Sequence, residues 1–263
     1  MPAYNKQSDT QVVYDFSDKQ SKGAFLTKVF GMMFLCLLIT TVVAAGFGYG
    51  FQYLLLKTSV ETEPGVFAYD QNIVMGLVIA LIVSVIALLV MSFVLPITFA
   101  RGKHNILVPL MIYVVLMGIM LSTFTFIFDW VILVESFGIT SLIFGVMALL
   151  GYISKGRLAG IGFILFGLVI GALGLSLINW LMIVIGGITP ATVQISWIAS
   201  LLIFAFLMLV TLYDVHRIKK IAEAGAGNNN NLTYYCAYIL YSDFIAILIR
   251  VIYYVAMITG RRR

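Results

Sequence analysis

Charge is scarce in this chain. Of its 263 residues only 10% are Asp, Glu, Lys or Arg and 62% are hydrophobic, whereas a soluble domain carries roughly 25% charged residues. That shortage excludes a soluble globular fold. Cysteine is nearly absent. Cys36 and Cys236 each lie in or beside an apolar run, where the thiol usually acts as a small buried hydrophobe, so no disulfide is expected. No early apolar segment is followed by a small-residue cleavage site. The run after Lys28 continues past Tyr49, too long for a signal-peptide core. No internal repeat is visible, and no lysine lies in the last apolar run to form a retinal-type Schiff base. The net charge of +5 does not point to nucleic acid, because membrane proteins place basic residues in cytoplasmic loops.

What is present in quantity is apolar sequence, with a mean hydropathy of +1.08. Seven runs are long enough to cross a bilayer: residues 28–54, 73–99, 106–128, 131–153, 158–181, 193–219 and 232–258. A span needs about 20 apolar residues, and only a helix satisfies every backbone group within such a segment. The expected fold is therefore an all-α membrane protein with seven transmembrane helices in one membrane domain, 28–258. A flexible cytoplasmic tail, 1–27, precedes it and a short basic tail, 259–263, follows.

The basic residues set the expected direction. Lys6, Lys19, Lys22 and Lys28 fall on one side, with Arg101 and Lys103, Lys155 and Arg157, and then Arg217, Lys219 and Lys220. The opposite loops hold Lys57 with Glu61, Glu63 and Asp70, then Asp129, then the uncharged stretch around Gly186–Gly187. The amino terminus is thus expected in the cytoplasm. Arg261, Arg262 and Arg263 run against that assignment, either because the earlier charges dominate or because the last segment re-enters.

Against this apolar background two acids stand out, Asp214 in the sixth run and Asp243 in the seventh. An ionisable group inside hydrocarbon is costly unless it faces protein, water or a partner, which makes it a functional-site candidate. If the sixth helix continues to about Glu223 and the seventh begins near Leu232, Asp214 lies about 14 Å and Asp243 about 17 Å from the shared connection. Two antiparallel helices then hold the carboxyls at similar depth, with rotation about each axis left open. Facing carboxyls in a low dielectric cannot both ionise cheaply, so one proton is shared. Protonated, the pair ties its helices by a hydrogen bond. Deprotonated, it repels itself and offers oxygens to a hard cation such as Ca2+. The bland alternative is that each Asp caps or bonds something locally.

Other residues are weaker candidates. Arg101, ending the second span, and Arg250, beyond Asp243, are each able to neutralise a carboxylate, although Arg101 also reads as a topological anchor and Arg250 as a snorkelling residue. Glu135 reads either as water-exposed or as lining an outer vestibule. Asp129 and Trp130 form an outer turn. His104 and His216 flank the cytoplasmic side and, without acid or Cys partners, make a poor metal site. Gly167 and Gly171, with Gly174 and Gly160 nearby, are spaced for close helix packing. Ala224–Gly225–Ala226–Gly227 with Asn228–Asn231 reads as a flexible linker.

Several of these stretches resemble the transmembrane Bax inhibitor motif (Bax inhibitor-1) family. Leu212–Tyr213–Asp214 with Ile218–Lys219–Lys220 resembles its sixth-span signature. Tyr241–Ser242–Asp243–Phe244–Ile245, followed by Leu248, resembles its last-span element. Val134–Glu135–Ser136–Phe137–Gly138–Ile139–Thr140 and Gly118–Ile119 fit as well. Ser242 and Ala246 depart from the usual Leu and Asn, and the Asn-rich linker is long. The resemblance implies a seven-helix bundle with the last helix central. It also implies a pH-sensitive Ca2+ leak, with suppression of cell death in eukaryotes. Asp214 and Asp243 match the family's paired aspartates, and its second-span arginine falls at or near Arg101. A bacterial plasma membrane is the expected location.

The expected function is a Ca2+ leak channel gated by the aspartates, with Ca2+ as a permeant or transiently bound ion at Asp214 and Asp243. No enzymatic activity and no tightly bound cofactor are expected, and the partners are the lipid bilayer, Ca2+ and H+. A Ca2+/H+ exchanger and a regulatory protein that binds a membrane protease or death factor are alternatives. An intramembrane aspartyl protease is remote, because Asp243 lacks a preceding Gly-x-Gly and a following Pro-Ala-Leu.

Overall fold

The computed structural model describes residues 19–63, 66–68, 71–102, 105–154, 159–223 and 230–260. The amino-terminal tail before Lys19, most of the Gly/Asn linker, Lys103, His104, Lys155, Arg157, Asp70 and the three terminal arginines lie outside these residues. Among the described residues, seven helices are long and apolar enough to cross a membrane. They are α1 (Lys19–Thr58), α2 (Gln71–Arg101), α3 (Leu107–Leu121), extended by the short α4 (Phe124–Ile127), α5 (Trp130–Ile153), α6 (Ala159–Gly186), α7 (Pro190–Glu223) and α8 (Asn230–Thr259). Each crosses back from the one before. The basic end of the bundle carries the start of α1, Arg101, Ile153 and Glu223, and the opposite end carries Thr58, Gly186 and Thr259.

Two details differ from the sequence expectation. Helix α1 starts nine residues before Lys28, because Phe25 packs into the buried core and continues the face of Val29. A small antiparallel hairpin, β1 (Val60–Glu63) with β2 (Val66–Ala68), pairing Val60 with Ala68, joins α1 to α2. Helix α8 is one unbroken 30-residue segment, about 45 Å at 1.5 Å per residue. It therefore spans and does not re-enter.

Burial assigns the helices to layers. In α8, 61% of the most apolar window is buried, against 11% in α2 and in α6. Around α8 pack α1, α2, α3, α5 and α7, while α6 leans on α7. The outward faces are apolar, with Phe93, Phe163 and Ile185 exposed. In water that would be prohibitive; in lipid it is the required surface. The last helix is central, as the family resemblance implies.

Local chemistry places the helix ends. Gly187 takes φ 75, and its N–H donates to Ile183 O at 2.9 Å, closing α6 in a conformation that favours glycine. Pro190 then opens α7. Thr189 and Thr192 cap it reciprocally, each backbone N–H donating to the other's hydroxyl, at 2.9 and 3.3 Å. That is the arrangement of a capping box, built from two threonines.

Close backbone approach falls elsewhere than the sequence suggested. A Cβ on Gly167, Gly171 or Gly174 would meet nothing within 4 Å, because this side of α6 faces away from the bundle. The glycines that matter are Gly118 and Gly151. A Cβ at Gly118 would stand 2.7 Å from Val43 Cβ and 3.0 Å from Thr40 O on α1. At Gly151 it would stand 2.5 Å from Leu212 O on α7. Small residues thus let α3 close on α1 and α5 close on α7.

Polar ties also centre on α8. The fully buried Tyr241 shares a 2.6 Å hydrogen bond with Thr40 Oγ1, and its ring meets Tyr113 edge-on at 6.2 Å. Phe99 stacks on Tyr235 at 4.1 Å, which docks the basic end of α2 on the first turns of α8. Cys36 and Cys236 are free and buried, as expected of small hydrophobes.

Two stability outcomes follow from this packing. Gly118→Leu is expected to cost about 1–3 kcal/mol by overpacking, read as a lower melting temperature in detergent, while Gly171→Leu leaves it unchanged. Equal losses would contradict the helix assignment. Thr40→Val strands the Tyr241 hydroxyl and should cost about 1 kcal/mol; a melting curve matching wild type would show that the bond carries no stability.

Candidate functional site

The seam between α7 and α8 is fixed by contacts in the half of the bundle away from the basic end. Ser200 Oγ and Tyr254 OH share a 2.8 Å hydrogen bond, and Arg250 Nη1 donates to Ser200 Oγ at 3.4 Å. Phe204 meets Tyr254 edge-on at 5.5 Å, and Trp197 stacks on it at 6.2 Å. These pairs set the register. In antiparallel helices each step up one is matched by a step down the other. Moving from Ser200 or Phe204 to Asp214 therefore carries the facing position on α8 from Tyr254 to between Leu240 and Phe244. Asp243 lies in that interval.

Rotation, which sequence left open, follows from the same contacts. Ser200 and Asp214 are fourteen residues apart, and Asp243 and Arg250 are seven apart; four and two turns of 3.6 residues come to about 14 and 7. Each aspartate therefore shares a helix face with a residue bonded across the seam. Asp214 is half-buried, whereas Asp243 is only 8% exposed and its Oδ2 has neither solvent nor a hydrogen-bond partner.

The expected cation is not there. Arg101 is exposed at the last residue of α2, and among the described residues no ion pair within 4.0 Å joins it to either aspartate. The Phe99–Tyr235 stack explains why. It holds that end of α2 eight residues short of Asp243 along α8, roughly 12 Å. Arg217, one turn beyond Asp214, is the cation whose charge acts on Asp214. Arg250 is occupied with Ser200 and does not reach the pair. Glu135 is exposed on α5 and is not brought to the seam. His216 is buried, and neither ring nitrogen has a partner. It departs from a solvated flank because α7 continues as helix to Glu223, leaving the imidazole two turns inside.

Residues that sequence reasoning passed over complete the site. The buried face of α5 carries Ile132, Ser136, Thr140, Phe144 and Gly151. Phe144 and Phe137 both meet Phe244 at 5.5 Å, and Gly151 meets α7, so this face looks into the junction of α5, α7 and α8. Ser136 Oγ and Thr140 Oγ1 are fully buried there without partners. Several other hydroxyls in the spans bond back to their own helix, and Thr40 and Ser200 bond to tyrosines of α8. Thr211 donates to Leu207 O at 3.0 Å, Ser141 to Phe137 O at 2.8 Å and Ser242 to Ile239 O at 2.8 Å. Ser136 and Thr140 are exceptions beside an exceptional carboxyl. The sequence signal was present, since both occur in the Val134–Thr140 stretch that resembles the family.

Chemically, the junction offers carboxyl oxygens and hydroxyls in a low-dielectric interior. Buried polar groups without partners are costly, and a fully apolar junction would pack without that cost. No group of three or more His, Cys, Asp or Glu able to hold a metal occurs among the described residues. Two carboxyls supply fewer than the 6–8 oxygens that Ca2+ prefers.

The chain is 28% identical over 244 residues to the inner membrane protein YbhL of Escherichia coli strain K12, covering 91% of this chain and 92% of the relative. The YbhL protein of strain O6:H1 matches to the same extent. The family described as inhibitor of apoptosis-promoting Bax1 matches residues 22–260, which takes in every span and both aspartates. This multi-pass membrane protein belongs to the Bax inhibitor-1 family.

Proposed function

We propose that the protein is a pH-sensitive leak for Ca2+ across a bacterial inner membrane, gated by the carboxyl pair of Asp214 and Asp243. The supporting observation is the buried, partnerless Oδ2 of Asp243 on the central helix, level with Asp214 across one helix seam. The relative named as an inner membrane protein supports the location. The bias of Arg101, Arg217 and Lys219 to one end supports a cytoplasmic basic end.

The chemistry runs through a shared proton. With one proton between them the carboxyls hold a hydrogen bond, and α7 and α8 stay closed over the junction. When it leaves, two anions at short range in low dielectric repel one another. The repulsion loosens the seam and creates a site for a hard divalent ion. Thr140 and Ser136 offer further oxygens on the way through, and water supplies the rest of the shell. Protons and Ca2+ thus compete for the same atoms. No catalytic step is assigned to any residue.

Calcium flux through the purified full chain in liposomes, followed across a pH series, tests this reading. The wild type should leak with a clear pH dependence, and Asp243→Asn, which keeps the shape and removes the ionisation, should flatten it; Asp214→Asn should act the same way. A profile unchanged in both variants rules out the carboxyl pair as the gate. In the same assay Thr140→Val should lower the flux severalfold, since a lost ligand oxygen is worth about 1 kcal/mol; a flux equal to wild type would remove that hydroxyl from the path.

A further inference from the structure

The central helix carries a second charged residue on the aspartate face. Arg250 stands seven residues from Asp243, nearly two turns and about 10 Å along the axis. It is half-buried and nine residues short of the end of α8, so it lies well within the span. Of its five N–H donors, one is engaged, at 3.4 Å with Ser200 Oγ. That hydroxyl is itself buried and already shared with Tyr254 OH. No acid lies within 4.0 Å of the guanidinium among the described residues. A guanidinium in hydrocarbon is ordinarily paired or drawn out to the interface. This one is held inward on the α7–α8 seam, between the carboxyl pair and the end of the bundle opposite the basic one.

Register puts the unpartnered hydroxyls between the two charges. The Phe137 and Phe144 contacts with Phe244 set Thr140 level with Phe244, and Ser136, one turn along the antiparallel α5, level with about Leu248. The order from the basic end is thus Asp214 and Asp243, Thr140, Ser136, and then Arg250 with Ser200. Two unpartnered hydroxyls stand along the inner stretch, and a positive charge lies beyond them toward the end opposite the basic one.

We propose that Arg250 is the charge barrier of this passage. It raises the energy of a cation entering between the far end and the aspartates, and so keeps the leak slow and sets its response to ion valence. The proposal rests on the calcium-passage reading above and names a determinant of rate and selectivity within it. A unit charge acts on a divalent ion with twice the energy it exerts on a monovalent one, so removing it favours Ca2+ over K+. The hydrogen bond to Ser200 keeps the guanidinium in the seam, where the same hydroxyl also bonds Tyr254.

The test compares Ca2+ and K+ efflux from liposomes holding the wild-type chain, Arg250→Gln or Arg250→Lys, each confirmed folded by its melting curve. Arg250→Gln is expected to raise Ca2+ efflux about tenfold or more, with a smaller rise for K+, while Arg250→Lys, which keeps the charge, stays near wild type. Efflux from the Gln variant equal to that of the wild type overturns the barrier; the carboxyl-pair gate survives if the wild type still responds to pH through Asp243. Equal leaks from the Lys and Gln variants also overturn it, since lost packing against Ser200 would then be the cause. Silence from both the wild type and the Gln variant overturns barrier and passage together, whereas a silent wild type beside a leaking Gln variant upholds the barrier.

Discussion

An acid in the middle of a bilayer has no water to stabilise its charge, and the organisation of this bundle around α8 answers that constraint. Asp243 sits in the most enclosed helix of the seven, level with Asp214 on the neighbouring span by the register of the seam contacts. A lone buried carboxylate would cost several kcal/mol. A second acid at the same depth allows two carboxyls to share one proton, which lowers that penalty. The price in specificity is that α7 and α8 must keep one register. The Ser200–Tyr254 bond and the Phe204 and Trp197 contacts with Tyr254 serve that register.

The distribution of polar atoms in the spans separates scaffold from site. Most hydroxyls donate to a carbonyl one turn back on their own helix, which satisfies them without reference to any neighbour. Asp243 Oδ2, Ser136 Oγ and Thr140 Oγ1 do not, and all three lie where α5, α7 and α8 meet. Packing forces alone would have filled such a junction with aliphatic side chains. His216, also buried and unpaired, lies further toward the basic end on the same helix as Asp214.

Glycine spacing illustrates where one-dimensional reasoning stops. Gly167 and Gly171 have the spacing of a packing motif, yet a Cβ at either meets nothing within 4 Å among the described residues. Gly118 and Gly151, each without a glycine four residues away, are where the backbones come together. Spacing decides which residues share a helix face; the neighbour that face meets is a property of the assembled bundle. Arg101 taught the same lesson. Its place at the end of the second span was legible, but the Phe99–Tyr235 stack that holds it away from the aspartates joins residues far apart in sequence.

Hydropathy by itself determined the seven spans, the single membrane domain and the two acids that are out of place in it, because a bilayer requires long apolar helices and makes every buried charge conspicuous. The motifs around Asp214 and Asp243 carried the family, and equal path lengths from a short linker carried their common depth. Helix rotation was left to the tertiary structure, since it depends on which side chains interlock across the seam and not on how many residues lie along it. From rotation came the placing of both aspartates on the seam, the inward aim of Ser136 and Thr140, the outward turn of Glu135, and the place of Arg250 in line with the pair; the docking of α2 on α8 set Arg101 apart.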